Sequence, residues 1–148
     1  TETFAADLKV LRFYGTAAAL HNPLFMDSLP VANGGAALMA KSMAYDERRS
    51  DGIGGKGSKD AYDLFYIMTA YQGGSDRLVE EFVSNPESVL REDALRVLER
   101  DFTTPGASGT QLICDFLTDP PGGRKEFAVQ VAAQVDLFLR QVKARLYG

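Results

Sequence analysis

Tryptophan is absent from this 148-residue chain, and histidine and cysteine occur once each. Each shortage excludes something. Cys114 has no second cysteine to pair with, so a disulfide framework is ruled out and a reducing compartment, the cytoplasm, is expected. It sits in the apolar stretch Leu112-Ile113-Cys114, where a thiol reads as a small buried hydrophobe and not as a reactive group. His21 and Cys114 lie far apart in the chain, so they cannot build a zinc site, and they support a Cys–His nucleophile poorly. No run approaches the ~20 apolar residues that a membrane helix needs, and no signal-peptide pattern is visible. No membrane partner is therefore expected. The chain begins at Thr1 and not at Met, which suggests a processed chain, a designed one or a fragment.

The remaining composition is that of an ordinary globular domain: 45% hydrophobic and 24% charged, with nine Phe and six Tyr. That length and apolar mass suit one domain with one core. A net charge of −4 argues against a surface built as a whole for nucleic acid, although local basic patches are compatible with it.

Two periodicities divide the chain. Over Leu8–Tyr14 the residues Leu-Lys-Val-Leu-Arg-Phe-Tyr carry the β-branched and aromatic content of a strand, and Gly15 ends it. Short extended pieces follow at Leu24–Met26 and Ser28–Ala32, where Pro30 keeps its predecessor out of the α region. From Asn33 the spacing becomes helical. Asn33 is a good N-cap for a helix to about Arg49. Ser58 is read as the N-cap of a second helix, Lys59 to about Tyr71, with Asp60 in its first turn. Further helices are predicted from Ser75 to Val83, from near Pro86 to Phe102, from Ser108 to Leu117 and from Arg124 to Leu146. Glycine and proline clusters such as Pro120-Pro121-Gly122-Gly123 separate them. The last helix repeats Phe127, Val131, Val135, Phe138, Val142 and Leu146 at three- and four-residue steps. The fold class is therefore α+β with helix dominant: an extended or β segment over residues 1–32, then a helical domain of about six helices over residues 33–148.

Gly52-Ile53-Gly54-Gly55-Lys56-Gly57 matches the dinucleotide fingerprint G-x-G-x-x-G. In that motif the glycines follow a strand and open a helix within a βαβ unit. Here the preceding residues read as helix and the βαβ alternation is missing. The Walker pattern also fails, because Gly57 follows Lys56 where Ser or Thr is required. The segment is read as a surface linker between helices.

The informative stretch is Leu29–Tyr71. It holds Leu29-Pro30-Val31, then Lys41 with Asp46 in a K-x4-D spacing, then Arg48, and after the glycine loop Lys59-Asp60-Ala61-Tyr62-Asp63-Leu64. In order and spacing this resembles the region downstream of the catalytic sheet in nucleotidyltransferase-like proteins of the AbiEii and MenT type. These are DNA-polymerase-β-like transferases, many of them toxins of toxin–antitoxin pairs. The resemblance covers about 45 residues. It implies that Lys41 and one of Asp60 and Asp63 are catalytic, that Arg48 and Lys59 bind nucleotide or phosphate, and that the complete protein uses Mg²⁺ and a nucleoside triphosphate, neither of which is expected as a resident cofactor of this chain alone. It also implies a partner, either the remainder of a parent protein or a cognate antitoxin, with tRNA or a nucleotide as substrate.

One departure is serious. The family's metal site rests on a G-S motif followed by D-x-D or D-x-E in an N-terminal sheet, and no such element occurs here. Gly74-Ser75 is followed only by Glu80-Glu81 and Glu87, in a helical region. Without paired carboxylates on a strand nothing holds Mg²⁺, so no metal ligand is assigned in this chain. The expectation is the substrate-side helical part of a nucleotidyltransferase-like protein, inactive in isolation. The alternative is a non-catalytic helical interaction module, such as an antitoxin-binding domain.

The residue chemistry fits the first expectation. A lysine within an apolar helix face offers a point charge to phosphate, Asp60 and Asp63 share one helix face, and Arg48, Arg49, Lys56 and Lys59 surround one loop. The plainer readings are a snorkelling surface lysine, a first-turn acid at Asp60 and a Lys59–Asp63 pair at i, i+4. Antiparallel packing of the two helices sets a geometric expectation. The Lys41 ammonium should lie within roughly 6 Å of Asp60 or Asp63, on a concave surface.

Overall fold

A computed structural model describes residues 33–51 and 55–148. Among these residues there are six α-helices and no strand. They are α1 (Gly34–Arg48), α2 (Lys56–Ala70), α3 (Ser75–Val83), α4 (Ser88–Phe102), α5 (Ser108–Leu117) and α6 (Arg124–Tyr147), with a short 3-10 turn, Arg49–Asp51, after α1. The helix-dominant expectation holds for the described residues. The expected β element and the domain 1–32 lie outside the described residues, as do Gly52, Ile53 and Gly54 of the fingerprint-like loop. No helix among the described residues is long and apolar enough to cross a membrane.

Helix α1 is the hub. It packs against α2, α3 and α4, while α5 lies on α2 and the long α6 closes the assembly against α3, α4 and α5. Its sequence explains that position. Gly34, Gly35, Ala36 and Ala37 open the helix and are all buried, so neighbouring backbones come close. A Cβ on Gly35 would stand 2.5 Å from the Phe82 amide nitrogen of α3. Leu38, Met39 and Tyr45 carry the apolar bulk and are fully buried. Tyr45 meets the edge of Phe102 at a centroid distance of 4.9 Å, and Phe82 meets Phe138 at 5.4 Å, so the core runs from α3 through α1 to α4 and α6.

Asn33 caps α1 as its sequence position indicates, its side chain accepting a hydrogen bond from the Ala36 amide at 2.8 Å. A second acceptor comes from outside the segment. Glu81 Oε1 receives the Gly34 amide at 2.7 Å, and the same carboxylate receives the Tyr71 hydroxyl at 2.8 Å. The first amides of α1 are thus satisfied by two different parts of the chain.

The start of α2 corrects the sequence reading. Ser58 is not its N-cap: the helix begins at Lys56, Gly55 stands at the cap, and the Ser58 hydroxyl donates to the Gly55 carbonyl at 3.0 Å. Asp60 is therefore the fifth residue of the helix and not a first-turn acid. The cause is a close approach. Gly57 packs directly on the Arg48 carbonyl at the end of α1, where a Cβ would clash, and this contact pulls the last loop residues into the helix despite glycine's low propensity.

Candidate functional site

The α1–α2 hairpin brings the sequence-nominated residues together. On α1, Ala37, Lys41 and Tyr45 recur every four residues and all face the interior, so Lys41 takes its place in an apolar stripe. On α2, Asp60 and Asp63 share the buried face with Ser58, Leu64 and Ile67. Because Gly57 seats the two helices tightly at their junction, Lys41 lies level with the second turn of α2.

There the Lys41 ammonium donates a hydrogen bond to Asp60 Oδ1 at 3.0 Å, and Asp63 Oδ2 lies 3.1 Å from the same nitrogen. Arg48 completes the group. Its Nε donates to Asp60 Oδ2 at 2.8 Å and its Nη2 to Asp60 Oδ1 at 3.1 Å, a two-pronged fork on one carboxylate. The distance expectation is met by both aspartates. The concave setting is not: Lys41, Asp60 and Asp63 are 2%, 1% and 0% exposed, so the convergence lies inside the fold. Only the Arg48 side chain, 37% exposed, reaches the surface.

The two aspartates are held differently. Asp60 receives three donors. Asp63 is within ion-pair distance of Lys41, yet neither of its oxygens receives a well-aligned hydrogen bond. Burial therefore pushes the Asp63 carboxyl up to about 7, Lys41 pulling the other way and Asp60 adding to the rise. At neutral pH Asp63 is poised between its charged and neutral forms.

The other nominated residues are placed as follows. Arg48 is engaged with Asp60, which spends its fork on a protein carboxylate. Lys59 is half-buried and acts on Asp63 only as a weaker, charge-based pull. Asp46, the acid of the K-x4-D spacing, faces away from Lys41 and pairs with Arg100 at 2.6 Å and Arg49 at 3.4 Å.

That pairing belongs to a second charged cluster, on the α4 side of α1, which sequence reasoning missed. The buried Tyr45 hydroxyl donates to Asp101 Oδ2 at 2.8 Å, and Arg100 forks onto both oxygens of Asp101 at 2.8 and 3.0 Å. Burial alone would raise the Asp101 carboxyl, but the Arg100 and Tyr45 hydrogen bonds outweigh it and hold the group below the usual carboxylate range. Burial also pushes the Tyr45 phenol well above its ordinary value. The signal was present in the sequence: Val97, Leu98, Asp101 and Phe102 lie on one stripe of α4, so Asp101 had to be buried with its neighbours.

Among the described residues no group of three potential metal ligands converges. Asp60 and Asp63 are already faced by two cations, so this pair is not arranged to receive Mg²⁺. Set against known proteins, the chain matches no family model, no curated protein and no solved structure.

Proposed function

We propose that this chain is the helical, substrate-side part of a nucleotidyltransferase-like protein, in which Lys41, Asp60 and Asp63 serve a nucleotide-phosphate site. The observation that carries the reading is the meeting of Lys41 with both aspartates across α1 and α2, at 3.0 and 3.1 Å. The order of motifs around these residues points to the same chemistry. Each residue then has a distinct task. Arg48, forked onto Asp60 and open to solvent on its outer side, meets an incoming anion first. Asp60, fixed by three hydrogen bonds, orients the Lys41 ammonium, whose charge suits a phosphate oxygen. Asp63, poised near neutrality, holds or yields a proton beside that ammonium.

On this reading Mg²⁺ and the transfer step belong to the complete protein, this chain's own share is to hold the nucleotide's phosphates, and the carboxylates that hold the metal come from outside the described residues. The acceptor is a tRNA, a protein or a small molecule. Catalysis would demand charge stabilisation from both halves, so this chain alone is expected to give no labelled product from labelled nucleoside triphosphates, Mg²⁺ and bulk tRNA.

The near-complete burial of Lys41 and Asp60 favours a second reading, in which the cluster only holds α1 to α2 and the chain is an interaction module. One titration separates the two. A fluorescent nucleoside triphosphate is added to the wild-type chain and to Arg48→Ala and Lys41→Met, with circular dichroism to confirm that each folds. The proposal expects wild-type binding that falls at least about tenfold in either variant. No binding, or binding equal in all three proteins, overturns it in favour of the interaction module.

A further inference from the structure

Helix α6 buries one face through Val131, Val135 and Phe138. The opposite face is ordered in a way the core does not require. Glu126, Val129, Ala133, Leu137 and Arg140 fall within an arc of roughly 80° at 100° per residue, and all are exposed. Val129 and Leu137 are 46% and 51% exposed. Two exposed aliphatic side chains are ordinary by themselves. The arrangement around them points to a partner.

The stripe is self-complementary about Ala133. Glu126 and Arg140 stand seven residues on either side of it, Val129 and Leu137 four, and Gln130 and Asp136 three. If a second copy of α6 is laid antiparallel across a twofold axis at Ala133, acid meets guanidinium, aliphatic meets aliphatic, and amide meets carboxylate. No like charges oppose. Ala133, the smallest side chain of the stripe, falls where the helix axes come closest and permits a separation of about 8–10 Å. Such a patch has the symmetry of an isologous interface, in which one surface serves both subunits. Arg140 is already held on this face by Asp136 at 2.9 Å, while Glu126 makes no ion pair with another described residue.

We propose that the outer face of α6 is the antiparallel seam of a homodimer, its partner a second copy of this chain. Sedimentation velocity across a concentration series tests it. The wild-type chain is expected to shift from monomer to dimer with concentration. Glu126→Arg and Arg140→Glu should each weaken the dimer about tenfold, because two symmetry-related pairs turn repulsive. The double variant, which restores both pairs with the charges exchanged, should return the affinity to within about threefold of wild type. Leu137→Glu should weaken it by roughly a hundredfold or more. Under oxidation, Ala133→Cys should cross-link between copies and Val129→Cys should not, since two copies of residue 129 would lie about 12 Å apart along the helices at 1.5 Å per residue. A chain that stays monomeric throughout, a double variant no better than the singles, or a Val129→Cys cross-link as strong as that of Ala133→Cys overturns the proposal.

Discussion

On the α4 side of α1, Asp101 accepts hydrogen bonds from Tyr45 and Arg100, and its carboxyl is held below the ordinary range. On the α2 side, Asp63 is buried more deeply, lies 3.1 Å from an ammonium and receives no aligned hydrogen bond, and its carboxyl is raised to about 7. Both are aspartates on helices packed against the same central helix, and both have a cation beside them. The difference lies in burial first and in hydrogen bonding second: Asp63 is the more fully enclosed and Lys41 does not outweigh that cost, whereas the hydrogen bonds from Arg100 and Tyr45 outweigh the smaller cost at Asp101. Proximity of opposite charge alone does not stabilise a buried carboxylate. A group left in Asp63's position is able to change protonation near neutral pH, as a group taking part in proton transfer must. A group in Asp101's position is built to stay charged.

Four substitutions sharpen this contrast. The largest effect is expected on the α2 side. Lys41→Met removes the cation that touches Asp63, leaving only the weaker pull of Lys59, and one of the two that touch Asp60, and should destabilise the chain by about 3–5 kcal/mol in urea unfolding, the range for breaking a buried ion pair. Adding Asp63→Asn to Lys41→Met should recover part of that loss, because the orphaned charge is gone. A double variant whose loss equals the sum of the two single losses would show that the residues are not coupled. On the α4 side, Tyr45→Phe deletes one of several donors to Asp101 and should cost about 1–2 kcal/mol near neutral pH, with a shallower loss of stability below pH 4 than in wild type, because Asp101 is then held less far below the ordinary range and less stability is lost when it protonates. The smallest effect is expected at the rim. Arg49 is 45% exposed and lies 3.4 Å from Asp46 and 3.9 Å from Asp101, so Arg49→Ala should change stability by no more than about 0.5 kcal/mol. A larger loss there would mean that the α4 cluster depends on its outer arginine.

The pattern of apolar residues made much of this arrangement legible. The stripe of α6, the stops around it and the Asn33 cap all follow from local spacing and turn chemistry. Lys41 was legible for the same reason: it interrupts an interior stripe, and a lysine there must find a partner. What could not be read was anything set by contact between distant segments. Ser58 was a reasonable cap until Gly57 seated itself on the Arg48 carbonyl. Asp46 had the right spacing from Lys41, but at five residues' separation on one helix the two point to different sides, and Asp46 turned to Arg100, 54 residues away. The resemblance implies a phosphate role for Arg48, but spacing does not reveal that two nitrogens of its fork are engaged by Asp60. Spacing identifies which residues share a face. Tertiary packing decides what that face meets.

The poised state of Asp63 is the point on which the contrast, and the chemistry proposed for the site, both rest. Its most direct test is a carboxyl-carbon NMR titration of Asp63 in the folded chain, paired with stability measured across pH. The unfolded carboxyl titrates near 3.9 and the folded one near 7. A carboxyl whose folded value is raised contributes stability that is fully present below the unfolded value and is lost as pH rises through the folded value. The expected result is a titration midpoint near 7, with a loss of stability between about pH 4 and pH 7 that flattens above and is absent in Asp63→Asn. A midpoint at or below about 4, with no loss of stability over that interval, would contradict the account: Asp63 would then be an ordinary ion-pair partner of Lys41, and the cluster would serve only to join α1 to α2.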